Sequence, residues 1–130
     1  MLVSSKYIKL LIVLAVLYSV SVLLSISTAM AGEVEIVNAK AERQRPNWVF
    51  HVTLKHADKG WEHYADAWRI VTEKGDELGT RTLFHPHVDE QPFTRSLGNV
   101  SIPDNVDTVY IEAHDKVHGW SKKRFKLKLK

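Results

Sequence analysis

From residue 33 onward the chain alternates apolar and polar positions with a period of two, in short runs separated by turn residues, as strands that bury one face do. Residues 33–41 set Val34, Ile36 and Asn38 on one side and Glu33, Glu35 and Val37 on the other, and end at the polar turn 43–47. In 48–55, Trp48, Phe50, Val52 and Leu54 share one face, Val49, His51, Thr53 and Lys55 share the other, and His56 continues the apolar row to the strand's end. Residues 65–72 centre on Trp68, Ile70 and Val71, and Glu73-Lys74-Gly75-Asp76 makes a hairpin turn into a strand over 78–84. A helix over 61–71 is the competing expectation, but the stop at 72–75 comes too soon for a helix of ordinary length. Strands follow over 93–100 and 108–114, the second with Val109, Ile111 and Ala113 in one row that Asp115 extends. In the last strand Phe125, Leu127 and Leu129 face inward and Arg124, Lys126, Lys128 and Lys130 outward. Seven strands at spacings of about 8–12 residues predict an all-β, immunoglobulin-like sandwich of two antiparallel sheets.

The first 31 residues follow another pattern. Lys6 and Lys9 precede an apolar run over 10–24, which gives way to Ser and Thr and closes on Ala29-Met30-Ala31. That order of basic, apolar and small residues is the plan of a secretory signal peptide. The expected division is therefore a leader over 1–31 and one sandwich domain over 32–130, with the mature chain starting at Gly32. An uncleaved anchor is the rival reading, and Ser19, Ser21, Ser25 and Ser27 weaken it. The expected location is periplasmic or secreted, with no membrane association once the leader is removed.

Composition narrows the classes of function. Lys6 and Lys9 account for two of the 18 basic residues, leaving 16 against 15 acidic ones in the mature part, a balance of +1. Its basic residues collect mainly over 122–130, where a solvated strand face accounts for them, so nucleic acid is not an expected partner. The sequence contains no cysteine. No disulfide can staple the fold and no thiol follows the leader to accept a lipid, so stability must come from the core, with or without an ion.

The chemistry lies in histidine. Of seven histidines, five fall in three segments: His56 and His63 around the loop that contains Gly60, the pair His85-Pro86-His87, and His118 beside Gly119 and Trp120. Each segment falls where a strand meets a loop. Imidazole suits copper, iron, zinc and nickel, whereas calcium calls for more closely spaced carboxylates. Pro86 holds His85 extended, so His85 and His87 can present both rings on one face. Taken singly, any of these histidines is more simply an exposed polar residue or a hydrogen-bonded cap, and His51 and His114 belong in that group. Trp48, Trp68 and Phe125 are most simply core, while Trp61 and Trp120 fit a loop cover as well as an ion shield.

His56, His63-Tyr64, Trp68 and His118-Gly119-Trp120 resemble the superoxide reductase family (desulfoferrodoxin, neelaredoxin). In that family an early histidine, a His-Tyr pair with a nearby tryptophan and a late His-Gly segment hold a mononuclear iron on an immunoglobulin-like sandwich. The likeness covers about a fifth of residues 32–130 and departs from the family at defined positions. Asp115 stands where the family has a cysteine three residues before the late histidine. Ala57 and Asp58 replace its proline and methionine, and the spacing from His56 to His63 is one residue longer. An axial thiolate sets the reactivity of that iron, and a carboxylate does not reproduce it. The resemblance thus implies a metal-binding relative more than a working superoxide reductase. The chain is also similar to what is expected of small exported bacterial proteins.

Two readings of function follow. In the first, an exported metalloprotein holds copper or iron, with zinc as a further fit, through His56, His63 and His118 helped by Asp115 or by His85 and His87. It acts as a carrier or a redox site, and any reaction would be a metal-dependent oxidation or reduction. In the second, a non-catalytic periplasmic domain binds a protein or carbohydrate partner through its His- and Trp-rich loops, with pH-gated binding as a variant. No nucleophile elbow or phosphate-binding glycine loop competes with these readings.

Overall fold

The computed structural model describes residues 4–26 and 32–130. The chain divides into two compact units, Met1–Ala31 and Gly32–Lys130. In the first, the apolar run forms helix α1, Ser5–Ile26. Its large apolar side chains from Tyr7 to Val16 are exposed. The expected cleavage pattern, Ala29-Met30-Ala31, lies outside the described residues.

The second unit is all-β. Its strands are β1 (Glu35–Gln44), β2 (Asn47–Lys55), β3 (Ala65–Val71), β4 (Glu77–Thr82), β5 (Phe93–Val100), β6 (Thr108–Asp115), β7 (Gly119–Trp120) and β8 (Phe125–Lys128). One sheet has the order β1-β2-β5 and the other β4-β3-β6-β7, with β8 also pairing β6, and every pairing is antiparallel. The seven expected strands are all present, and the eighth is the two-residue β7. Residues 65–71 are strand and not helix: Ile70 pairs Ile111 on one side and Gly79 on the other, and tertiary pairing decides what local propensity left open.

The sheets meet through the predicted rows. Phe50, Val52 and Leu54 of β2 and Phe93 of β5 join Trp68 and Ile70 of β3 and Val109, Ile111 and Ala113 of β6 in one buried cluster. Phe125 and Leu127 pack on its edge. One strand departs from expectation. The β1–β2 register slips between Ile36 and Asn38, so the extra residue, Val37, is exposed and the inward row shifts from Ile36 to Ala39. β1 also continues to Gln44, three residues past the expected end, because Gln44 pairs Asn47 around a tight Arg45-Pro46 connection.

This topology positions the histidines. β2, β4 and β6 end on the same rim on which β3 and β5 begin. The loops after β2, β4 and β6 are therefore neighbours, and each carries one of the three histidine segments.

Candidate metal centre

His56 sits one residue past β2, on the inward-facing row, and is buried. The loop behind it folds back through a bond from Lys59 N to the His63 carbonyl, 2.9 Å, and a turn at Gly60, whose φ of 103° favours glycine. This return carries His63 over His56, and their ring centroids lie 4.8 Å apart. Asp115 ends β6 opposite Ala65, the first residue of β3, and its side chain is 1% exposed. Its Oδ1 accepts the backbone N–H groups of Val117 (2.9 Å) and His118 (2.7 Å), closing the turn into β7. That turn places His118, ring centroid 5.3 Å from His63, with Nδ1 3.1 Å from each Asp115 oxygen.

Two of the three histidine segments thus converge. One ligand atom each from His56, His63 and Asp115 lies within 4.8 Å of the others, and His118 closes the side toward solvent. His63 Nε2 is buried without a hydrogen-bond partner; it stands 3.3 Å from Asp115 Oδ1, outside hydrogen-bond geometry. An orphaned imidazole nitrogen facing a buried carboxylate is costly unless another species takes its lone pair or proton. Burial alone would raise the Asp115 pKa, but the N–H groups of His118 and Val117 and the His118 ring outweigh it, and the carboxyl is held below its usual value. Asp115 is thus kept as the anion a cation needs.

A second layer orients the first. His56 Nδ1 donates to Asp58 Oδ1 at 2.6 Å and Nε2 to the Gly32 carbonyl at 2.9 Å; an ion bound at Nε2 would displace that proton and that bond. Asp58 is buried and fully engaged, accepting also from Ala65 N at 3.0 Å and His87 N at 2.7 Å. A carboxylate behind a ligating histidine fixes the ring and raises its basicity. Gln91 braces the same unit, accepting from His56 N at 3.0 Å and donating to the His87 carbonyl at 2.9 Å.

His85 and His87 do not join the group. His87 is buried, stacked on Phe93 at 3.9 Å, and its Nε2 lies 2.9 Å from Arg95 Nη2, so it accepts there and supports Asp58 only through its backbone. His85 is exposed, 4.6 Å from the His87 ring. The two rings stay close to each other, but His87 is held on Phe93 and Arg95 and not among the three converging ligands. His51 and His114 are hydrogen-bonded to Ser96 and Asp66, in keeping with their bland reading. In the sequence Asp58 stands only as a departure from the reductase pattern. Its spacing of two from His56 was the available signal.

No family model matches the chain, so the likeness to superoxide reductases rests on the quoted residues alone. No solved structure matches it either. A protein from Halomicrobium mukohataei named "Putative lipoprotein" is 44% identical over 71 residues, covering 55% of this chain and 34% of its own. The chain spans about a third of the length of the curated relative it resembles.

Proposed function

We propose that this is an exported β-sandwich protein that binds one transition-metal ion, copper or iron before zinc, through His56, His63 and Asp115, with His118 at the mouth. The observation that carries it is the convergence within 4.8 Å of ligand atoms from both ends of the β2–β3 loop and from the end of β6, beside the orphaned His63 Nε2. Two imidazoles and a carboxylate, backed by Asp58, leave a position open for an exchangeable ligand, which suits a carrier or a redox centre. Export is supported by the leader-like first 31 residues and by the name of the relative. That name implies a lipid, for which this sequence has no cysteine.

The test is elemental analysis of the protein purified from its export compartment without a histidine tag or chelator. About one equivalent of copper or iron is expected, and none in His63→Ala. Substoichiometric metal, unchanged in the variant and not restored by titration with copper, iron or zinc, would sink the reading.

One observation favours the second reading, a protein-binding rim. Trp61, Phe84, Val88 and Val117 are all more than half exposed, and all lie on the three loops that frame the centre. On that reading Trp61→Ala leaves metal content unchanged and abolishes cross-linking to one defined partner in the export compartment.

A further inference from the structure

The start of the sandwich unit bears on the same centre. The Gly32 carbonyl oxygen accepts from His56 Nε2 at 2.9 Å. A Cβ built on Gly32 would stand 2.7 Å from His118 Cε1 and 3.2 Å from His118 Nε2. A side chain there would require the His118 ring to move, and the φ of 138° is itself one that side chains disfavour. The Gly32 backbone is therefore held against two imidazoles of the centre. Position 32 is also the residue that follows Ala29-Met30-Ala31, the cleavage pattern read from the sequence.

These two facts have a joint chemical consequence. While the Ala31–Gly32 bond is intact, the nitrogen of Gly32 is an amide, whose lone pair is delocalised into the carbonyl. A processing peptidase adds water across that bond: hydroxyl goes to the Ala31 carbonyl carbon, the C–N bond breaks, and the proton goes to the Gly32 nitrogen. The product is an α-amine with a pKa of about 7.7–8.0, a nitrogen donor once deprotonated. It belongs to the residue whose Cα–H side faces the His118 ring and whose carbonyl meets His56. A terminal residue is also tethered from one side only, so its carbonyl can leave His56 Nε2 when an ion arrives.

Resting on the proposed metal-binding role, we infer that the α-amino group of Gly32, released by leader removal, is a further ligand of the ion held by His56, His63 and Asp115. Processing thereby completes the site. A set of amine and imidazole nitrogens with one carboxylate favours Cu²⁺ among divalent ions.

The experiment uses Cu²⁺ alone as probe on three exported chains: the natural one, one with two serines inserted ahead of Gly32, and His63→Ala. Intact mass should show the natural chain beginning at Gly32. Its Cu²⁺ affinity should exceed that of the serine-extended chain by tenfold or more, and His63→Ala should not bind. In the natural chain grown with ¹⁵N-glycine, the nitrogen hyperfine pattern of the copper resonance spectrum should change, a readout that does not depend on how the extended chain folds. A different start, or an unchanged hyperfine pattern with His63→Ala still abolishing binding, overturns the amine ligand and leaves the metal reading standing. Absence of Cu²⁺ binding in a folded natural chain overturns the metal reading itself, and the amine with it.

Discussion

Asp58 shows what a single buried carboxylate does here. Its two oxygens serve three donors, His56 Nδ1, Ala65 N and His87 N, so it ties the candidate ligand, the start of β3 and the β4–β5 loop together. In Asp58→Asn one oxygen becomes an NH₂ facing another donor. We expect a 10–100-fold loss of metal affinity and about 1–3 kcal/mol of stability lost, measured by metal titration and by urea unfolding of the metal-free protein. Full metal affinity in this variant would remove Asp58 from the centre. His87 makes a separate prediction. Burial, then Arg95 and His85, lower its pKa, while Glu90 and Asp58 oppose the shift. The unfolded chain therefore binds a proton on this residue more readily than the native one. The contribution to stability is fully present above about pH 6.5, the ordinary histidine value, and is lost as pH falls below it. Melting temperature of the metal-free protein should drop across that window, and His87→Gln should flatten the drop.

Among elements, the β6–β7 hairpin carries both Asp115 and His118. Asp115, the last residue of β6, caps its own turn through two N–H bonds, and Gly119 resumes pairing opposite it with φ at 76°. Residues 116–118 connect the two strands, and the left-handed position that follows them, at the start of β7, favours glycine. Gly119→Ala should cost about 1–2 kcal/mol through the left-handed backbone alone. Because the turn aims His118 and Asp115, metal affinity should fall with it. Unchanged stability in urea would show that the turn relaxes without cost. The bulge at Val37 acts similarly on β1, turning its inward row from even to odd positions so that Ala39 reaches the core.

For the whole molecule, the consequence of the proposed ion is linkage. The centre joins residues after β2, before β3 and at the end of β6, and so spans both sheets. An ion bound only to the native state raises its stability by about 2.7 kcal/mol at a free concentration one hundred times its dissociation constant. Melting temperature should therefore rise with added Cu²⁺ in the natural chain and stay flat in His63→Ala. An equal rise in both would place the ion elsewhere. Without disulfides, the core of Trp68, Phe50, Phe93 and Ile111 supplies the rest of the stability.

The alternation of side chains was enough to place seven strands, to give most of them their inward face and to call for two packed sheets, because a period of two puts alternate residues on one face. The slip in β1 and the choice of strand over helix at 65–71 were decided by pairing. The alternation also put His56 and Asp115 at the inward ends of their rows. It did not determine that those ends meet, since period says which face a residue takes but not which strands become neighbours. That was decided by the antiparallel order β2-β5 against β4-β3-β6, which brings three loops onto one rim. The same packing separated His85 and His87 from the centre, because Phe93 and Arg95 on β5 offered His87 a stacked, hydrogen-bonded place. It also promoted Asp58 and Gly32, whose neighbours lie up to 29 and 86 residues away along the chain, where no local pattern reaches.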